Sequence, residues 1–138
     1  MFLLDTDTLS LLLRGHPRVT ERVARAAEEV AITLITRTEI LQGRFAFVLK
    51  AEDSDKRLQA QQRLRESEDD LNRFTVVSIG PRAAEEFDRL RTNKRLKTIG
   101  RADLLIAAEA LSARATLVTR NRKDFGRVPG LVTENWAD

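Results

Sequence analysis

The chain of 138 residues has no cysteine, no tyrosine, a single histidine and three prolines. Without cysteine there is no thiol nucleophile, disulfide or thiolate metal site, and one histidine excludes a multi-histidine metal centre. A Ser-His-Asp triad would need His16, which stands in a turn-like Gly15-His16-Pro17 stretch and reads as a surface-turn residue. Aromatic residues make up only 5% of the chain, so stacking on nucleobases is at most a minor theme. No apolar run approaches the roughly 18 residues of a membrane span. The N-terminus, Met1-Phe2-Leu3-Leu4-Asp5, lacks the basic and apolar regions of a signal peptide, which points to the cytoplasm.

What is abundant is charge: 24 Lys and Arg against 21 Asp and Glu, a formal net charge of +3. Any chemistry here therefore runs on carboxylates and on what carboxylates bind. The length suits one compact domain covering 1–138, and 42% hydrophobic residues can supply its core.

Three short apolar runs read as buried strands that end at a polar residue. They are Phe2 to Leu4 before Asp5, Val30 to Ile35 before Thr36, and Thr116 to Val118 before Thr119. Weaker candidates are Thr75 to Ile79 and Leu131 to Thr133. Helical patterns lie between them, over Thr8 to Leu13, Thr20 to Glu29, Glu39 to Lys50, Ala51 to Arg73, Pro81 to Leu96 and Ala102 to Ala113. This alternation predicts a mainly parallel sheet covered by helices, with ligands gathered at the carboxyl ends of the strands. The helix over Glu39 to Lys50 carries more apolar surface than one core-facing stripe needs. With the charged Ala51 to Arg73 it forms either an ordinary packed pair or a projecting hairpin that binds a protein.

Three acids stand at the ends of these elements. Asp5 follows the first strand, and if Thr6 or Asp7 caps the next helix, Asp5 is left without a local structural duty. Glu39, in Thr36-Arg37-Thr38-Glu39, fits a capping box in which Thr36 is the cap and Glu39 reaches back to its N–H. Asp103 opens a helix, where the macrodipole favours a negative charge. Each has a structural explanation alone; together, unpaired carboxylates in one crevice repel and raise each other's pKa values until a cation relieves them. Hard oxygen donors without His or Cys suit Mg²⁺ or Mn²⁺, and such a site fits phosphodiester hydrolysis. Bases bracket these acids: Arg95, Lys97 and Arg101 precede Asp103, while Arg120 and Arg122 flank the loop after Thr119. That placement suits a phosphate backbone.

These residues resemble a known family. Leu4-Asp5-Thr6-Asp7, Thr38-Glu39-Ile40 with Gly43, Ile99-Gly100 with Asp103-Leu104-Leu105-Ile106-Ala107-Ala108, and Leu117-Val118-Thr119-Arg120-Asn121-Arg122-Lys123-Asp124-Phe125 are similar to the PIN domains, in order and across the whole chain. The ending, Val128-Pro129-Gly130-Leu131 with Glu134-Asn135-Trp136, is similar to the VapC-type toxins among them. The resemblance implies a three-layer α/β/α sandwich and a Mg²⁺- or Mn²⁺-dependent endoribonuclease. It further implies the toxin of a toxin–antitoxin pair, cutting tRNA or rRNA, homodimeric and neutralised by a small VapB-like antitoxin. Asp5 and Asp103 would be the main metal ligands, with Glu39 direct or through water. Many PIN domains place a fourth acid where this chain has Asn121; either Asn121 serves as a neutral ligand or water-positioner, or Asp124 contributes instead. Around these, Thr6, Asp7 and Thr119 would form the supporting shell, with Asp7 orienting Asp5 or capping the helix.

Asp5-x-Asp7 after a strand also opens haloacid-dehalogenase-like phosphatases, but Leu9 stands where that pattern wants Thr or Val. A non-catalytic RNA- or protein-binding module is the remaining alternative, and the intact trio of acids argues against it.

Overall fold

The computed structural model describes all residues, 1–138. Five strands, β1 (Phe2–Leu4), β2 (Val30–Thr33), β3 (Thr75–Val77), β4 (Thr116–Val118) and β5 (Val132–Glu134), form one sheet in the order β3-β2-β1-β4-β5. Every neighbouring pair is parallel, with Leu3 opposite Ala31 on one side and Leu117 on the other. Seven helices connect the strands: α1 (Thr6–Leu13), α2 (Pro17–Arg25), α3 (Leu34–Lys50), α4 (Ser54–Leu71), α5 (Pro81–Thr92), α6 (Arg101–Ala113) and α7 (Arg122–Phe125). The expected three-layer α/β/α sandwich is thus the observed fold, its chain running from the central β1 to one edge at β3 and then to the other at β5.

Alternation along each strand divides the core, because successive side chains point to opposite faces. Leu3, Ala31 and Leu117 pack on Leu90 of α5, Ile106 and Ala107 of α6, and Phe125 of α7. Leu4, Ile32 and Val118 pack on the other face with Leu9 of α1, Ile40 of α3, Leu71 of α4 and Trp136. Both faces of β1 are therefore buried, as its wholly apolar Phe-Leu-Leu sequence requires.

The boundaries differ from expectation in ways that bear on function. β2 stops at Thr33, and Leu34 and Ile35 already belong to α3. Apolar residues stand on both sides of Thr33, so hydrophobicity alone hides the junction. The hydroxyl of Thr33 accepts from the Thr36 amide at 3.0 Å and is the true cap. Hence Thr36 is not the cap and Glu39 is not in a capping box; it lies in the second turn of α3, free of that duty. Asp5 is likewise corrected: its Oδ1 accepts from the Thr8 amide at 2.8 Å, so Asp5 itself caps α1, and neither Thr6 nor Asp7 does.

Smaller corrections follow similar lines. α2 begins at Pro17 rather than Thr20 and ends at Arg25; the His16 ring nitrogen Nδ1 accepts from the Val19 amide and caps it. The turn before it uses Gly15 at φ +80°, a region that L side chains rarely adopt. α5 ends at Thr92, where Asn93 turns extended and caps a separate 3₁₀ turn over Lys94–Leu96. The short α7 was not anticipated, because four residues are too few to show a period.

Candidate active site

In a sheet of this order the chain reverses direction of travel between β1 and β4, and the crevice at their carboxyl ends is where such folds bind ligands. A cavity of about 420 Å³ opens there. Asp5 reaches it from the end of β1, Asn121 from the loop after β4, Glu39 from α3 and Asp103 from the first turn of α6. Four segments far apart in sequence thus present polar side chains to one space. Thr6 and Asp7 line it as well; Thr119 does not, being fully buried behind it.

Each acid is held differently. Asp5 is 6% exposed, and its burial raises its pKa although hydrogen bonds from Thr119 and Thr8 oppose the rise. Its second oxygen is not used by the cap. Glu39 receives the Thr6 hydroxyl at 2.6 Å on Oε1, and Thr6 Oγ1 lies 3.2 Å from that of Thr36, which ties α1 to α3. Asp103 sits at the third position of α6, after Gly100, where the helix offers no side-chain cap. Its pKa is raised by burial, then by the negative charges of Glu39, Asp5 and Asp124. That mutual repulsion is the electrostatic condition a divalent cation relieves.

Asn121 and Asp124 prove to be one unit. Asn121 caps α7 by accepting from the Asp124 amide, and its Nδ2 donates to Asp124 Oδ2 at 3.1 Å. Asn121 lines the cavity; Asp124 lies behind it, its other oxygen 3.4 Å from Arg127. A donor set of carboxylates and one amide, with no nitrogen or sulfur ligand, fits Mg²⁺ or Mn²⁺. No three of the acids are drawn to ligating distance around one point. Asp103 and Glu39 retain room to rotate toward a cation, being only partly buried.

Two wall residues escaped the sequence reading, Ser10 and Phe125. Ser10 had a usable signal, since it falls three residues after Asp7 and four after Thr6 on α1. Phe125 had none apart from the unseen α7. Of the basic residues, Arg95, Lys97, Arg101, Arg120 and Arg122 are all exposed and none lines the cavity. Arg120 reaches its rim, 3.5 Å from Asp7. Arg101 opens α6 two residues before Asp103.

A family model for the PIN domain matches residues 2–131. The chain belongs to the PIN domain family. Among individual PIN proteins, it is 32% identical to ribonuclease VapC2 of Rickettsia felis, over 99% of this chain and 98% of that one. It is 28% identical to the tRNA(fMet)-specific endonuclease VapC of Salmonella typhimurium, over 98% and 97%. In three dimensions it resembles the R. felis VapBC2 complex bound to a promoter DNA fragment, with a TM-score of 0.76 at 31% identity, covering 98% of each chain. No helix of this PIN domain is long and apolar enough to cross a membrane.

Proposed function

We propose that this PIN domain is a Mg²⁺- or Mn²⁺-dependent endoribonuclease and the toxin of a toxin–antitoxin pair, with tRNA or rRNA as its substrate. The observation that carries the reading is the convergence of Asp5, Glu39 and Asp103 on one cavity at the carboxyl edge of the sheet, with the Asp103 pKa raised by burial and then by its neighbours' charge. Asp5 and Asp103 would hold the cation, Glu39 would complete the set directly or through water, and Asn121 would add a neutral oxygen. The cation, when bound, supplies charge stabilisation to the phosphoryl group and polarises the attacking water.

The protein's own residues prepare that step. The cap on α1 holds one oxygen of Asp5, and the Thr6 hydroxyl donates to Glu39 Oε1. Asp124 orients Asn121, and Arg120 at the rim meets an incoming phosphodiester as a charge-assisted donor. Arg95, Lys97, Arg101 and Arg122 extend the positive surface for the flanking backbone.

The relatives named above act on RNA and occur in VapBC assemblies, which supports an antitoxin partner of the VapB kind here. A homodimer is supported by α3, where Leu34, Phe45 and Leu49 fall on one helical stripe and are 39%, 52% and 70% exposed. The purified protein is expected to cleave cellular RNA with Mn²⁺, to stop with EDTA, and to lose cleavage as Asp103→Asn. Unchanged cleavage in that variant would remove the metal-site assignment. Growth arrest on expression, relieved by co-expression of the antitoxin, tests the toxin role; mapping of cleavage ends in total RNA names the substrate.

A further inference from the structure

A second concavity lies away from the acids, between α3 and α4, with a volume of about 430 Å³. Its walls are Phe47 and Ala51 on one side and Ala60 on the other, and its charged lining is lopsided: Arg44, Lys50, Lys56 and Arg63 against Glu52. At the floor, the partly buried Arg44 donates from Nε to the Ser67 hydroxyl at 3.0 Å, a neutral acceptor. Burial and the positive charges of Arg63 and Arg14 all work against its protonated form. Of the eight ion pairs in the molecule, none involves Arg14, Arg44 or Arg63.

This arrangement is unfavourable in the isolated chain. An arginine keeps its proton at any ordinary pH, so a partly buried guanidinium beside two like charges is stabilised by an anion from outside. Phe47, 63% exposed above it, adds apolar surface that the isolated chain leaves in water. A phosphate backbone would find cations here, but it would gain nothing from the Phe47, Ala51 and Ala60 walls. A carboxylate flanked by apolar side chains satisfies both features.

We propose that the α3–α4 groove receives an acidic, amphipathic segment of a protein partner, whose Asp or Glu side chain pairs with Arg44 between Arg14 and Arg63 while its apolar side chains cover Phe47. The partner's identity as the antitoxin rests on the reading above; the groove's preference for an acidic peptide does not.

The test places the photo-crosslinking residue p-benzoylphenylalanine at Phe47 of the full chain in cells, with the crosslinked peptide identified by mass spectrometry. The expected product is a peptide with at least one Asp or Glu among apolar residues. In an Arg44→Glu background its yield falls about tenfold or more. Replacing that peptide's acid by Arg restores the yield against Arg44→Glu. RNA cleavage by the isolated Arg44→Glu protein stays at the wild-type rate, which shows that the variant is folded. A crosslink to RNA, to a second copy of this chain or to a peptide lacking acids overturns the proposal, as does no crosslink or a yield indifferent to Arg44. Cleavage is measured separately, on the isolated protein freed of any partner: absent cleavage there, with the acidic peptide captured in cells, removes the nuclease reading alone, and cleavage there without that capture removes the groove alone.

Discussion

Asp5 carries two burdens at once, since one carboxylate oxygen caps α1 while the buried charge on the group raises its pKa. A group whose folded pKa lies above its unfolded value costs stability once both states would ionise. Asparagine keeps the capping oxygen and removes the charge. Asp5→Asn is therefore expected to abolish RNA cleavage and to raise the urea midpoint at pH 7; a lowered midpoint would show that the charge itself supports the fold. The fourth position is resolved by Mn²⁺ titration of two variants. Asn121→Ala removes a cavity-lining donor, whereas Asp124→Ala removes only what lies behind it, so Asn121→Ala should weaken Mn²⁺ the more. Equal losses would mark the pair as a single unit, and no loss in either would take both out of the site.

Glu109, on the same helix as Asp103 but distant from the cavity, is fully buried with neither oxygen hydrogen-bonded. Burial pushes its pKa up to about 7. The folded protein thus keeps this proton while the unfolded chain releases it near 4.5, and stability is lost as pH rises between those values, by about 1.4 kcal/mol per unit. Glu109→Gln removes that slope. Compared by urea denaturation, the two proteins should be equally stable near pH 4.5, with the variant the more stable at pH 8. Parallel pH profiles would mean that Glu109 is charged throughout.

Among the elements, the β2–α3 junction has the greatest reach, because Thr33 caps the start of α3, the helix that carries Glu39. Thr33→Ala should cost about 1 kcal/mol of stability. It should also slow cleavage without Glu39 being touched; loss of stability with full activity would separate the cap from the site. This junction also shows what sequence patterns convey. Strand tips at Asp5 and Thr119 were visible because apolar runs stop sharply there. The end of β2 was not, since Leu34 and Ile35 serve a helix with the same side chains that would serve a strand. The capping box offered Glu39 a structural duty that competed with a functional one, and with Thr33 as the true cap that duty falls away. The Asn121–Asp124 unit and Phe125 stayed hidden because α7 is a single turn. Convergence of the four segments depends on strand order, which no local pattern encodes.

Over the whole molecule, the slight excess of base matters through its placement. If Arg95, Lys97, Arg101 and Arg122 meet the RNA backbone as proposed, their attraction is screened and sequence-independent, and RNA binding by the Asp103→Asn protein should weaken linearly in log salt. Removing one of these cations should flatten that slope by roughly 0.7, the value per phosphate contact for single strands. A slope unchanged by all four would place the RNA elsewhere.

The central position of β1 has a consequence in time. Residues 2–4 are made well before their neighbour on one side, β4, which spans Thr116–Val118. At about 5–20 residues per second, that neighbour arrives roughly 6 to 23 seconds later. The crevice between them, together with Asp103 and Asn121, cannot exist before then. A nascent chain that still lacks β4 therefore has no such crevice.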